Sequence, residues 1–302
     1  MRHITTSFAT MAITAGLATS AFAQALPIQG KPVPGGTGFQ IGGTEHAREI
    51  HDLDYLLLII ISVITVFVTG LLLYCVVRYN RRANPVPSTF THNSPLEVAW
   101  TVVPILILVF IGAFSLPVLF KQVEIPETGL TIKVTGNQWY WNYQYPDDAV
   151  EFDSYMIGSP ATGGDNRFNA EVEQQLIDAG YSKDEFLLAT DTAMVVPTGT
   201  NVKIIVTGSD VLHAWMVPGL GMQHSAVPGR LGEMWFNADI EGIYFGQCST
   251  LCGSNHAYMP ITVKVVSPAV YAQWLAKAQG GDVLLTAADI AEYSAVKVAA
   301  NN

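Results

Sequence analysis

Two uncharged apolar runs, Tyr55–Val77 and Val98–Phe120, limit the fold more than any other feature of the sequence. Each is 23 residues long and carries no Asp, Glu, Lys or Arg. A helix of that length rises roughly 34 Å, enough to cross the hydrocarbon core of a bilayer. The short segment between the runs carries Arg81 and Arg82, with Arg78 just before it. Positive charge collects on the cytoplasmic side of a membrane, so both outer ends of this hairpin face away from the cytoplasm. Pro104 and Pro117 fall inside the second run. Membrane helices tolerate proline because neighbouring groups satisfy the freed carbonyls. Cys75, inside the first run, reads as an inert packed thiol.

These runs set the outer boundaries. Residues 51–80 are expected to form transmembrane helix 1, 81–95 a cytoplasmic loop and 96–121 transmembrane helix 2. Asn93 or Ser94 is placed to cap the second helix, with Pro95 in its first turn. His92 and Glu97 read as interface or capping residues. Residues 1–23 read as a signal peptide: Arg2 and His3 precede a small-apolar run, and Ala21-Phe22-Ala23 is an A-x-A cleavage site. Residues 24–50, rich in Gly and Pro, read as an extended segment.

Beyond about residue 127 the pattern shortens to strands. Leu130–Val134, Phe186–Leu188, Met194–Val196, Val202–Thr207, Leu231–Asn237, Ile243–Phe245 and Ile261–Val266 are apolar or alternating, with Gly, Pro, Asn and Asp between them. This predicts a Greek-key β-sandwich over 127–268. An insert between Gly158 and Gly180 contains a helical stretch at about 170–179. The tail, 269–302, starts with a helical pattern, and its last twenty or so residues are expected to be loosely ordered.

The chemistry concentrates in Cys248-Ser249-Thr250-Leu251-Cys252-Gly253-Ser254-Asn255-His256-Ala257-Tyr258-Met259. Two thiols, an imidazole and a thioether in one loop are soft donors, suited to copper rather than magnesium, calcium or manganese. His213 lies upstream, just past the strand-like run Val202–Thr207. Two cysteines four apart could instead pair as a disulfide. Zinc would leave the thioether unexplained. A mononuclear blue-copper site needs Cys252, His256, Met259 and His213, and leaves Cys248 over. Two thiolates so placed can also bridge a pair of copper ions.

At these residues the chain resembles cytochrome c oxidase subunit 2 of the alphaproteobacterial aa3 kind. Gly246–Gly253 and Asn255–Pro260 resemble that family's dinuclear copper loop, and Gly136–Tyr143 its aromatic stretch. The resemblance implies a membrane-anchored all-β protein: a two-helix transmembrane hairpin followed by a cupredoxin-like sandwich. It implies two copper ions bridged by Cys248 and Cys252. His213 and Met259 complete one, and His256 with the backbone carbonyl of Thr250 completes the other. Trp139 is implied as the point where electrons arrive from cytochrome c, with Asp191, Asp210, Glu151 and Asp153 as docking acids. Oxidase subunit 1, which holds the haem, and subunit 3 are the implied partners in the bacterial inner membrane. Oxygen reduction and proton pumping would then occur in subunit 1. No C-x-x-C-H is present, so no covalent c-type haem is expected here.

The sequence departs from the family at position 250. A glutamate there reaches a magnesium or manganese ion shared with subunit 1; Thr250 offers only a hydroxyl. Met222-Gln223-His224-Ser225 also replaces a segment that often carries Lys and Asp. A divergent oxidase paralogue, or the dinuclear-copper subunit of a nitric oxide reductase, fits the same features. A membrane-anchored copper chaperone would need a βαβ pattern that is not seen. Charge narrows the partners further. Between Gln122 and Ser267 there are 17 acidic and 6 basic residues, a net charge of −11. That excludes a nucleic-acid footprint and favours a basic partner whose association is salt-sensitive.

Overall fold

The computed structural model describes residues 26–300, with side chains through 294. The signal-peptide reading of 1–23 lies outside the described residues. In chain order the elements are β1 (Ile28–Gly30), α1 (Glu45–Arg78), α2 (Ser94–Val123), β2 (Leu130–Asn137), β3 (Tyr140–Tyr145), β4 (Val150–Ser154), α3 (Ala170–Asp178), β5 (Met194–Pro197), β6 (Asn201–Gly208), β7 (His213–Val217), β8 (Met222–Ala226), β9 (Gly232–Asn237), β10 (Gly242–Cys248), β11 (Pro260–Val266), α4 (Pro268–Gln279) and α5 (Ala287–Ala300).

The helix α1 starts ten residues before the uncharged run that signals it in the sequence. Thr44 caps it by accepting from the Ala47 amide, and Glu45 complements the positive helix start. These first turns are not bilayer-facing. His46 and Ala47 are buried against the outer domain, and Arg48 forms an ion pair with Asp239. Lys121, near the end of α2, bridges Glu45 (2.8 Å) and Glu49 (2.7 Å). That contact brings the outer ends of both helices together beneath the sandwich, with Arg78, Arg81 and Arg82 at the opposite end. Asn93 caps α2 through the Leu96 amide, and Pro95 sits in its first turn. Neither helix buries its central apolar residues within the chain, as expected of surfaces meant for lipid or another subunit.

The outer domain is two packed sheets. One runs β5-β11-β10-β7-β8, with the short β1 paired to β10; the other runs β4-β3-β2-β6-β9. Alternation explains the layering. In β2, Leu130, Ile132 and Val134 point inward, and in β6 Val202, Ile204 and Val206 do the same. They meet Trp215, Val217, Ile261, Val263 and Val265 from the facing sheet.

Three local expectations change. Phe186–Leu188 is a turn after a short 3-10 helix, not a strand; the capping box of Ser182 and Glu185 winds the chain there. His213–Val217 and Met222–Ala226 form a paired hairpin that polar residues disguise in the sequence. In the tail a second helix, α5, follows α4 where the sequence offers small and polar residues. α4 and α5 pack together, Trp274, Leu285 and Ile290 are buried in the core, and the Trp274 indole donates to the Val283 carbonyl at 2.9 Å. Small and polar composition hid two apolar anchors that are enough to dock the segment.

Candidate metal centre

The strand β10 carries Cys248 at its end, pairing with Trp215 of β7. His213 begins β7, so the register of two adjacent strands sets imidazole and thiol side by side. The loop 249–259 then joins β10 to its antiparallel neighbour β11. A hairpin connection this long must find its own internal support. The Ser249 amide donates to Ala214 O (3.0 Å), the His256 amide to Gly253 O (3.2 Å) and the Tyr258 amide to Asn255 O (2.9 Å). Each thiol has one imidazole and one weaker donor beside it. His213 Nδ1 is 3.9 Å and the Thr250 carbonyl oxygen 3.3 Å from Cys248 Sγ. His256 Nδ1 is 3.5 Å and Met259 Sδ 3.4 Å from Cys252 Sγ. The two sulfurs stand 3.8 Å apart as free thiols. That is nearly twice the length of a disulfide bond.

His213, both cysteines and Met259 are buried, and His256 is half-buried. His213, Cys248 and Cys252 have ligand atoms within 4.8 Å of one another. Soft sulfur and imidazole donors converging in a dry pocket fit copper. The thiols respond to each other as two close acids do. Burial works against the Cys248 thiolate, but hydrogen bonding from His213 and the Ala214 amide outweighs it and lowers its pKa. Burial and the neighbouring Cys248 charge raise that of Cys252. A cation between them removes that conflict.

The surrounding residues hold the donors in place. Asp210 Oδ1 lies 2.8 Å from His213 Nε2, which leaves Nδ1 facing Cys248. The other Asp210 oxygen accepts from the Gln138 amide at 2.7 Å. Gln138 Nε2 and Trp139 Nε1 both donate to the Cys252 carbonyl, at 2.8 and 3.3 Å, and Trp141 Nε1 donates to the Met259 carbonyl at 3.2 Å. Trp139 sits in the β2–β3 turn rather than on a strand, half-buried against the loop, whereas Trp141 is fully buried. Gly136 is required by packing. A Cβ there would come within 2.9 Å of the His213 ring. Sequence reasoning missed Gly136, Gln138 and the Asp210–His213 contact. The D-x-x-H spacing was the one available signal for that contact.

The remaining site residues lie elsewhere. Glu151 and Asp153 are exposed on β4, where Asn142 Nδ2 donates to both. Asp191 is half-buried and accepts from the Tyr155 and Thr192 amides; burial raises its pKa. His224 stays outside the metal cluster. Its Nδ1 lies 2.9 Å from the Ser225 carbonyl and its ring occupies the space left by Gly232.

Comparison with known proteins gives the family. Residues 130–266 match the family described as cytochrome C oxidase subunit II, periplasmic domain, and residues 32–118 match the corresponding transmembrane domain. Cytochrome c oxidase subunit 2 of Cereibacter sphaeroides is 63% identical over 285 residues, covering 93% of this chain and 94% of its own. A probable cytochrome c oxidase subunit 2 of Rickettsia bellii is 42% identical over 247 residues, covering 82% and 85%. The solved periplasmic domain of subunit II of cytochrome oxidase from Bradyrhizobium japonicum is 40% identical. It covers 52% of this chain and 99% of its own, with a TM-score of 0.42.

Proposed function

The chain belongs to the cytochrome c oxidase subunit II family, and on that premise we propose that its outer domain receives electrons from a basic cytochrome c and hands them toward haem in subunit 1. It is a subunit of a haem-copper terminal oxidase, with two membrane helices and a periplasmic domain. The observation that carries the finer reading is the pair of unjoined buried thiols, each flanked by its own imidazole.

Cys248 and Cys252 would bridge two copper ions, with His213 and Met259 on one and His256 and the Thr250 carbonyl on the other. When bound, such a pair supplies one-electron acceptance and release with the charge spread over two metals and two sulfurs. The rest is the chain's own work. Both thiols give up their protons, and Asp210 holds His213 in one tautomer and orientation. Gln138, Trp139 and Trp141 pin the loop carbonyls, so the donors stay put between redox states. The buried pocket keeps water from the sulfurs. Trp139, hydrogen-bonded to the Cys252 carbonyl, supports a short path from the surface to the bridging thiolates. The acidic surface, with Glu151, Asp153 and Asp210 exposed, supports docking of a cationic donor. Asp191 and Asp210 both turn their carboxylates to backbone amides, and Asp210 also to His213, so Glu151 and Asp153 are the freer docking candidates.

Metal analysis and EPR of the purified oxidase complex test this reading. Two coppers in the outer domain, with hyperfine structure from one electron shared between them, are expected. A single copper with an ordinary blue-copper spectrum would refute it. The non-redox ion is a separate matter. Thr250 presents a hydroxyl where a hard carboxylate would be needed. Manganese is expected to bind the complex weakly and to tighten in Thr250→Glu; tight binding by the unaltered complex would overturn this point.

A further inference from the structure

A cavity in the outer domain lies away from the metal centre, on the outer face of β11. It measures about 400 Å³ and is roofed by α3, by the segment 181–193 and by the tail at Leu284–Thr286. In a two-layer sandwich this strand face would meet solvent. Here it is covered, and Lys264 lies under the cover. Its Nζ donates to the Leu285 carbonyl at 2.6 Å and sits 5.8 Å from the Tyr181 ring centre, with no carboxylate in ion-pair contact among the described residues. Two of the three ammonium hydrogens are therefore left without a protein acceptor. Burial lowers the Lys264 pKa to about 8, and the charge of Asp289, not in contact with it, only partly offsets this. Gln175, which also lines the cavity, donates to the Thr162 carbonyl at 3.0 Å, while its Oε1 is buried without a partner. Ile157, Tyr181, Ala193 and Leu284 supply apolar lining, and the carboxylates of Asp178 and Asp191 also border the cavity.

We propose that this cavity binds a small amphipathic carboxylic acid bearing a second hydrogen-bond donor, a class that includes apolar amino acids and their hydroxy-acid counterparts. The carboxylate would take the free ammonium hydrogens of Lys264, the donor would reach Gln175 Oε1, and an aliphatic body would fill the space between. A half-buried cation with unfilled hydrogen-bond donors and a buried unpaired acceptor each carry a desolvation cost that such a ligand removes. A plain fatty acid would leave the amide oxygen unpaired. An amine would leave the lysine unpaired.

The test is saturation-transfer NMR and calorimetry on the detergent-solubilised oxidase complex. The probes are L-leucine, 2-hydroxyisocaproate and isocaproate. Leucine or the hydroxy acid is expected to bind at least about tenfold more tightly than isocaproate, the loss of one charge-assisted hydrogen bond or its equivalent. Which of the two binds better separates an amino-acid source from a hydroxy-acid source. Lys264→Met is expected to abolish binding. Gln175→Leu is expected to reduce the preferred probe to the level of isocaproate. No binding of any probe at about 10 mM, equal binding of all three, or binding unchanged in both variants would each overturn the proposal.

Discussion

The membrane hairpin and the copper loop sit at opposite extremes of how tightly a sequence must be specified. The helix α2 buries none of its thirty residues within the chain. Its requirement is collective: enough apolar surface over enough length. The loop 249–259 buries little area, yet several of its atoms have a single workable position. Cys248, Thr250, Cys252, His256 and Met259 all direct a donor atom to the same small volume. Tolerance to change should therefore differ between the two regions by orders of magnitude. Cys252→Ala is the largest expected effect. It removes one of the two thiols proposed to bridge the coppers and leaves His256 and Met259 without the sulfur between them. Copper content should fall below two per chain, the shared-electron EPR signal should vanish, and turnover with cytochrome c should drop by about a thousandfold or more. Retention of the signal would mean that the loop is as forgiving as the helix.

Gly136→Val comes next and asks whether this intolerance extends beyond the donors. The residue lies on β2, more than a hundred positions upstream of the loop. Its missing Cβ is the space that the His213 ring occupies. Valine must push the imidazole off Cys248 or spread the sheets, at a cost of roughly 1–3 kcal/mol. Weakened copper retention with the membrane helices still inserted is the expected result, read by metal analysis after mild chelation. Normal retention would confine the strict region to the loop itself.

The two regions also differed in how they could be read. The hairpin was visible in uncharged length alone, and the loop in the soft donors of one twelve-residue stretch. The acidic character of the outer domain was countable. Hidden were contacts between residues far apart in sequence. Asp210 looked like one more surface acid, although it holds His213 at 2.8 Å. The α1 start at Glu45 was masked because its first ten residues serve the outer domain and carry charges that a lipid-facing segment would not. Local pattern reveals an element's solvent; it does not reveal which remote neighbour an element was shaped to receive.

Lys31→Met probes an intermediate case, the N-terminal arm. The short strand β1 adds to β10 in parallel, on the strand that ends at Cys248. Lys31 fixes the arm by pairing with Glu185, whose side chain is almost wholly buried. Removing the partner leaves a buried carboxylate, at a cost of about 2 kcal/mol once partial exposure of the lysine is allowed for. Burial alone would raise the Glu185 pKa, but Lys31 and Ser182 bring it below the ordinary 4.5. The sign follows from that depression. The contribution is complete above about pH 4.5 and is lost as pH falls through the lower folded value. Hydrogen exchange in residues 28–30 should quicken in Lys31→Met at pH 7, and in the unaltered chain only under acid. Equal exchange at pH 7 would make the arm as permissive as the hairpin.

Leu108→Ile should have the smallest effect, and it is the sharpest control on the contrast. Leu108 lies mid-way along α2, two-thirds exposed within the chain. Isoleucine keeps the volume and the transfer free energy, and costs a few tenths of a kcal/mol in helix propensity. Against lipid the exchange should change neither insertion, copper content nor yield of assembled complex. Leu108→Arg at the same position should cost roughly 3 kcal/mol of insertion, since a charge near the bilayer centre violates the collective requirement. If Leu108→Ile alone lowered the yield of complex, this face of α2 would be seated in a shape-matched partner subunit. The hairpin would then belong with the copper loop, among the parts of the molecule where each side chain is specified.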